Sequence, residues 1–197
     1  MSNYDLLDRV LEKNQGYIAT YDAINKGVSK PIFYDYVKER SLLNVAHGLY
    51  MEESVWPDDV YIMQFRYAEA IFSHELAAYY HDLSDREPLS MTLTLQAGKS
   101  SSRLNKEGIK VYKVKKELFE LGLVEIKTNY GNLVRSYDKE RTICDIVRSR
   151  SNIEVQDLQT ILRTYFRSKD KDIPKLMRYA QSFSIAGIMK DYAAMIL

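Results

Sequence analysis

The chain has 197 residues, of which 46% are hydrophobic and 28% charged, and its formal net charge is +1. These values are typical of a globular protein with one large or two small domains, and they exclude a disordered tail, a collagen and a fibrous repeat. No apolar run approaches the roughly 18 residues that cross a bilayer, and residues 1–5 lack the regions of a signal peptide. The single cysteine, Cys144, cannot form an internal disulfide, so we expect a reducing, cytoplasmic location.

Residues 1–56 predict three short helices followed by a β-hairpin. The first helix has an apolar stripe made of Leu6, Leu7, Val10 and Leu11. Gly27 ends the second helix, because glycine suits the left-handed position after a helix, and Pro31 lies in the first turn of the third. A hairpin over 42–51 follows. This order predicts a winged helix-turn-helix, in which a short helix, a turn and the next helix read DNA.

The third helix is the candidate recognition helix. Its inward stripe consists of Ile32, Phe33, Tyr36 and Val37. The opposite face carries Pro31, Tyr34 and Lys38, and we expect Lys30, Tyr34 and Lys38 to lie closest to base edges. Phosphate contacts position such a module on the duplex. The candidate DNA-binding residues are Lys26, Ser29, Lys30, Tyr34, Lys38, Arg40 and His47.

A domain boundary is expected near Trp56, where an acidic stretch and an X-Pro step interrupt the pattern. This gives a DNA-binding domain over 1–56 and a second domain over 57–197. The second domain mixes strands with a helix that begins after Ser73, and it ends in a helical tail from about 141. Its predicted strands cover 61–64, 89–95, 109–114, 123–128 and 133–137. The predicted fold class is therefore α+β.

Charge is unevenly distributed along the chain. Residues 1–80 contain 7 Lys/Arg against 12 Asp/Glu, whereas residues 81–197 contain 21 against 15. The densest basic stretch has Glu107 as its only acid and contains Lys99, Arg103, Lys106, Lys110, Lys113, Lys115 and Lys116. If these side chains share a face, they attract a polyanion and extend a phosphate footprint on bent DNA. The alternative is a solvated loop and strand edge that carries protective lysines.

Residues suited to catalysis or metal binding are sparse. His74 and His81 are seven residues apart, whereas the helical zinc motif needs two histidines four apart. Cys144 lies in an apolar helical pattern that is typical of an inert, buried thiol. No phosphate-binding glycine loop and no nucleophile elbow is present. We therefore expect no enzyme activity, metal, cofactor, membrane contact or small-molecule ligand.

Three parts of the sequence resemble AbiEi-type antitoxins. The framework of Gly16-Tyr17-Ile18, Gly27-Val28-Ser29 and Leu49-Tyr50 resembles the winged-helix module at the front of those proteins. Residues 71–83 contain Ser73, His74, Glu75, Ala77, His81 and Leu83, and they are similar to the family's Ser-His-Glu-x-Ala-x-x-x-His-x-Leu segment. Residues 137–145 contain Glu140, Arg141, Thr142 and Asp145, and they resemble its Glu-Arg-Thr-x-x-Asp segment. In one departure, His47 stands where the wing of related proteins usually carries arginine.

The resemblance implies a transcriptional repressor that is the antitoxin of a type IV toxin–antitoxin pair active in abortive infection against phage. Its partners are then promoter DNA with inverted repeats, through which it represses its own operon, and a nucleotidyltransferase-like toxin that it opposes without a stable complex. An alternative function of a different class stays open. In this alternative, the basic C-terminal surface is a protein- or RNA-interaction module that contacts the toxin or its target.

Overall fold

The computed structural model describes residues 2–196, which form two compact units of mixed helix and strand. Among these residues, the first unit comprises 2–68 together with 127–133, and the second comprises 69–126 and 134–196. Each unit contains its own sheet, so the predicted α+β class is confirmed. Among residues 2–196, no helix has both the length and the apolar character that crossing a bilayer requires.

The first unit contains four helices and a three-stranded antiparallel sheet in the order β1-β3-β2. In chain order its elements are α1 (Asn3–Lys13), β1 (Tyr17–Ala19), α2 (Thr20–Asn25), α3 (Lys30–Glu39), β2 (Leu43–Ala46), β3 (Leu49–Met51) and α4 (Asp59–Arg66). The predicted three helices and hairpin over 1–56 are present. Strand β1 escapes sequence analysis because three residues are too few to show an alternating pattern.

Both faces of this small sheet are buried. Ile18 and the half-buried Tyr50 belong to a core with α1, α2 and α3, whose members include Leu7 and Phe33. The other face presents Tyr17, Ala19, Leu49 and Met51, against which the α4 side chains Tyr61, Ile62 and Phe65 pack. Side chains alternate between the two faces of a strand, so a sheet that is apolar on both sides needs two covering layers. Helix α4 is the second layer.

Asp58 joins α4 to the 127–133 segment. Its buried carboxylate caps α4 by accepting the Tyr61 backbone N–H at 3.0 Å. The same carboxylate accepts hydrogen bonds from Thr128 Oγ1 at 2.5 Å and Asn132 Nδ2 at 2.8 Å. The Asp58 backbone N–H donates to the hydroxyl of Tyr17 at 2.7 Å. One side chain therefore fixes the start of a helix and a distant turn within the same unit.

The structure corrects two predictions about α4 and the end of the first unit. The strand expected over 61–64 is wrong, because these residues lie in α4, where Val60 and Met63 share a buried face at helical spacing. The first unit also extends beyond the boundary predicted near Trp56, since it includes α4 and the 127–133 segment. The apolar run in α4 is too short for its hydrophobic period to distinguish a helix from a strand. The run forms a helix whose side chains cover the apolar sheet face that carries Tyr17, Leu49 and Met51.

The second unit contains a five-stranded mixed sheet in the order β6-β5-β4-β8-β7. Its strands are β4 (Ile71–Phe72), β5 (Thr92–Gln96), β6 (Lys110–Val114), β7 (Leu123–Lys127) and β8 (Leu133–Tyr137). Its helices are α5 (His74–Tyr80), α6 (Ser102–Lys106), α7 (Lys116–Phe119), α8 (Lys139–Arg148), α9 (Val155–Arg167), α10 (Ile173–Ser182) and α11 (Ala186–Ile196), with a 3-10 turn at Arg150–Asn152. Strand β6 pairs in parallel with β5, and β4 in parallel with β8.

Most of the predicted elements of this unit are present. They include the strands predicted over 109–114, 123–128 and 133–137 and the helical tail, which begins at Lys139. The strand expected over 89–95 is wrong in its first part. It starts at Thr92, and Leu89 is 92% exposed in the preceding loop. The two-residue strand β4 and the five-residue helix α6 are too short to leave a sequence signal.

Arg141 is buried at the centre of the second unit. Its Nε donates to Asp145 at 2.9 Å, and its Nη1 donates to the backbone carbonyls of Leu118 and Leu121 at 2.7 Å each. Its guanidinium lies 3.9 Å from the centre of the Tyr137 ring. A buried charge costs much free energy unless it is paired and hydrogen-bonded. These partners hold α8 against α7 and the turn that follows it.

We expect Asp58→Ala to lower the free energy of unfolding by about 3 kcal/mol, because a helix cap is lost and buried donors on Thr128 and Asn132 lose their acceptor. Urea denaturation followed by circular dichroism measures the change. Asp59→Ala is the matched control, since this neighbour is exposed and its removal costs less than about 1 kcal/mol. Equal destabilisation by the two substitutions would contradict the role of Asp58.

Candidate nucleic-acid interface

The candidate interface begins at the turn between α2 and α3. Gly27 follows α2 with a φ of 83°, a left-handed conformation that favours glycine. Val28 and Ala23 are buried beside Phe33, so their side chains hold the turn against the core of the first unit. Ser29 occupies the N-cap position of α3, but its hydroxyl makes no capping hydrogen bond. That hydroxyl is exposed at the N-terminal end of the helix.

The exposed face of α3 carries two lysines and a tyrosine. Lys30, Tyr34 and Lys38 are spaced four residues apart, and Tyr34 is 48% exposed. Among residues 2–196, neither lysine has an ion-pair or hydrogen-bond partner for its side chain. Phe33 and Tyr36 are buried on the opposite face, which confirms the predicted inward stripe. The exposed face of α3 therefore presents two cations, Lys30 and Lys38, that no acidic side chain neutralises among the described residues.

The other candidates on this unit differ in their surroundings. Lys26 is exposed one helical turn from Asp22, and the attraction between them partly offsets the raised pKa that burial gives Asp22. Arg40 pairs with Asp8 of α1, with its Nη2 at 2.6 Å from Oδ2. The hydroxyl of Tyr36 donates to the other oxygen of Asp8 at 2.7 Å. Arg40 therefore ties α3 to α1, separate from the Lys30–Lys38 row.

His47 lies at the tip of the hairpin between β2 and β3. It is exposed, and the following Gly48 has a φ of 76°, which the tight turn requires. The pairing of the two strands shifts register between Asn44 and Ala46. The hairpin thus projects one exposed imidazole at its tip.

The predicted basic stretch on the second unit is partly neutralised. Three of its cations form ion pairs: Lys99 with Glu69 at 2.8 Å, Arg103 with Glu107 at 3.4 Å and Lys110 with Glu75 at 3.2 Å. The remaining cations, Lys106, Lys113, Lys115 and Lys116, are exposed and have no ion pair among residues 2–196. Three of the seven cations in this stretch are therefore already paired.

Strand β6 also divides this stretch between two faces. Lys110 and Tyr112 point to the side of α5, because Lys110 pairs with Glu75 and Tyr112 stacks on His74. Lys113 alternates to the other side. Since β6 is an edge strand, its lysines also fit the protective role considered from the sequence. The stretch is not one continuous basic surface.

His74 forms a buried polar network instead of a metal site. Its Nδ1 lies 2.9 Å from Ser73 Oγ and its Nε2 lies 3.1 Å from Ser149 Oγ. The ring stacks on Tyr112 with the ring centres 3.4 Å apart. His81 contacts the Tyr137 carbonyl oxygen through Nε2 at 2.6 Å. Both histidines fasten α5 to neighbouring elements, and within residues 2–196 no three metal-ligating side chains cluster.

Burial controls the ionisation of this network. Desolvation, with help from the cations Arg148 and Arg141, lowers the pKa of His74 well below its ordinary value. His74 is therefore neutral in the folded protein. Its backbone has a φ of 53°, a left-handed conformation that is unusual at the start of a helix. Burial likewise raises the pKa of Cys144, which is an inert thiol in the core.

Several residues that build the two units are not among those predicted from the sequence. Asp58 follows Pro57, and its Asp-x-x spacing before an apolar run is a capping signal that could have indicated α4. Its partners Thr128 and Asn132 lie 70 and 74 residues away in sequence, so no local pattern indicates the contact. The contacts of Ser149 with His74 and of Glu75 with Lys110 likewise join residues that are far apart in sequence.

No known protein family and no curated protein matches this sequence. The crystal structure of the Rv2827c protein from Mycobacterium tuberculosis is similar to this chain, with a TM-score of 0.60. The similarity covers 98% of this chain and 78% of that one, at 13% sequence identity. At this identity the likeness concerns the fold alone, and it agrees with the α+β class.

We expect the free energy of unfolding to fall by about 1.4 kcal/mol per pH unit below pH 6.5 through His74, because only the unfolded chain protonates it there. His74→Asn, which tolerates the left-handed backbone, removes this slope. Urea denaturation between about pH 5 and pH 7 measures the difference between the two proteins. His81, whose pKa burial also lowers, is present in both. Identical slopes would contradict a neutral His74.

Proposed function

We propose that this chain is a sequence-specific DNA-binding transcriptional repressor, which binds double-stranded promoter DNA through α3. The observation that carries the proposal is the row of Lys30, Tyr34 and Lys38 on the exposed face of a helix whose other face is buried. Unpaired lysines release counterions from phosphates when they bind DNA, which makes association favourable. Tyr34 and the Ser29 hydroxyl add groups that can hydrogen-bond base edges or backbone.

The order of elements in the first unit supports a winged helix-turn-helix. Helices α2 and α3 enclose a short turn at Gly27, and the β2–β3 hairpin follows as the wing. Strand β1 joins the hairpin on its β3 side, which leaves β2 at the edge. In this arrangement α3 enters the major groove, and His47 reaches the backbone or the adjacent groove.

The wider biological role follows from the resemblance to AbiEi-type antitoxins. On that basis we propose that the chain acts in the cytoplasm, represses its own operon through inverted repeats and opposes a nucleotidyltransferase-like toxin in phage defence. Ser73, His74 and the Glu140-Arg141-Thr142 segment are buried and make a structural contribution to this role. A protein- or RNA-interaction surface made of Lys106, Lys113 and Lys115 is the second candidate, since these cations have no ion pair among the described residues.

We expect the Lys30→Ala, Lys38→Ala double variant to bind its own promoter DNA at least about tenfold more weakly than the unsubstituted full chain. The slope of log affinity against log salt should become shallower by about 1.8, because two phosphate contacts are lost. Fluorescence anisotropy with promoter and scrambled duplexes at several salt concentrations measures both quantities.

The control is the Lys169→Ala, Lys190→Ala double variant, which removes the same charge from exposed positions of the second unit. Its affinity and salt slope should stay close to those of the unsubstituted protein. Equal weakening by the two double variants, or no preference for the promoter sequence, would reject α3 as the recognition helix.

The basic stretch can be tested with two triple variants of equal net charge. Lys106→Ala, Lys113→Ala, Lys115→Ala removes unpaired cations and should weaken DNA binding if the stretch extends the phosphate footprint. A second variant removes the paired cations Lys99, Arg103 and Lys110, and it should have the smaller effect, because their carboxylate partners already offset them. An unchanged affinity and salt slope in the first variant would show that the basic stretch does not contact DNA. If that variant then lost only toxin neutralisation, the result would favour the protein- or RNA-interaction surface.

A further inference from the structure

Strand β7 is an edge strand of the five-stranded sheet, with β8 as its one neighbour. Its side chains alternate, so that Val124 and Ile126 are half-buried whereas Glu125 and Lys127 are exposed. Among residues 2–196, neither of these two charged side chains has an ion-pair partner. The unpaired N–H and C=O groups of an edge strand are a template for another strand.

The hydrogen bonds at the two ends of the β7–β8 hairpin show which backbone groups of β7 point out of the sheet. The Asp138 N–H donates to the Gly122 carbonyl at 2.8 Å, and the Thr128 N–H donates to the Asn132 carbonyl at 2.8 Å. Both bonds fit one antiparallel register, in which the even-numbered residues of β7 bond to β8. The backbone groups of the two charged residues therefore point away from β8, where no strand of the described chain pairs with them.

Charge selects one register for a second copy of this edge. Antiparallel pairing must place outward-pointing residues opposite each other. Registers centred on a charged residue oppose like charges, Glu125 with Glu125 or Lys127 with Lys127, which is destabilising. The register centred on Ile126 instead opposes Glu125 with Lys127 of the second copy, and its two-fold symmetry repeats the pair. The register centred on Val124 leaves Lys127 without an opposite charge.

The other edge strands lack this self-complementary charge. These strands are β1, β2 and β6. The sequences of β1, Tyr-Ile-Ala, and of β2, Leu-Asn-Val-Ala, contain no charged residue. Strand β6, Lys-Val-Tyr-Lys-Val, contains lysines without an acid, and lysines on an edge discourage pairing. Of these edges, β7 is therefore the one that can form reciprocal ion pairs with its own copy.

We propose that β7 is a self-association edge, at which two copies of this chain pair antiparallel about Ile126 in a two-fold dimer. Glu125 of each copy forms an ion pair with Lys127 of the other, and each of these residue pairs exchanges both backbone hydrogen bonds. A contact through one strand of five residues is smaller than a standard interface, so the dimer is in reversible equilibrium with the monomer. The inference concerns the free protein and does not depend on DNA binding.

Sedimentation velocity of the full chain between about 5 and 500 µM tests the proposal, because weak specific complexes dissociate in this range. We expect the average mass to rise from that of a monomer towards that of a dimer. Glu125→Lys and Lys127→Glu should each weaken dimerisation about tenfold or more, because each opposes like charges twice. The double variant exchanges the two charges and should dimerise like the unsubstituted protein.

Mixing the two single variants provides a sharper test. Glu125→Lys has two lysines on its edge and Lys127→Glu has two glutamates, so an equal mixture should form a heterodimer although each variant alone associates weakly. Glu117→Lys is the matched control, because it makes the same change in net charge at an exposed glutamate of α7. It should dimerise like the unsubstituted protein.

Hydrogen exchange measured by NMR locates the contact on the strand. The amides of Glu125 and Lys127 should exchange more slowly at high than at low protein concentration, because they gain acceptors only in the dimer. The Ile126 amide bonds to β8 in both states, so its protection should not depend on concentration.

Each of three results would overturn the proposal. The first is a monomer at about 500 µM, which would leave the β7 edge for a strand of a different protein. The second is dimerisation of Glu125→Lys as tight as that of the unsubstituted chain. The third is failure of the mixed single variants to associate.

Discussion

The first unit depends on a sheet of three short strands that is apolar on both faces. Strands of three or four residues have too little area to be stable alone, so each face requires a layer of helices. Helices α1–α3 cover the Ile18 face, and α4 covers the face that carries Leu49 and Met51. Asp58 then fixes the start of α4 and the 127–133 segment in one step. The surface that would bind DNA is therefore supported by chain well beyond residue 56.

Features with a local cause could be predicted from the sequence, and features with a distant cause could not. The stripe of α3 follows from the spacing of Phe33 and Tyr36, and its exposed lysines follow from the same period. Helix α4 was missed because its apolar run is short, and the sheet face that it covers is built by other residues. The pairing of Lys110 with Glu75 spans 35 positions, so the sequence displays both charges without their neutralisation.

The segments that carry the family resemblance make buried contacts. His74 and His81 attach α5 to Ser149 and to the Tyr137 carbonyl, while Arg141 holds α8 to the turn after α7. Such polar networks are costly to leave incomplete, which constrains the residue types at each position. These motifs therefore indicate which fold a chain adopts. Of the candidate DNA-contacting residues, Ser29 belongs to one of the resembling stretches, whereas Lys30, Tyr34 and Lys38 on α3 lie outside them.

The net charge of a segment is a poor guide to the surface that it presents. The first eighty residues carry more acids than bases, yet many of these acids have internal partners. Asp8 binds Arg40 and Tyr36, Asp22 accepts the Ala19 backbone N–H at 3.2 Å, and Asp58 is buried. Lys30 and Lys38 have no such partners among the described residues. In the basic second unit, ion pairs offset three of the seven cations of the predicted basic stretch. A polyanion meets the charges that the fold leaves unpaired, so the formal net charge of a segment does not by itself identify a surface that binds one.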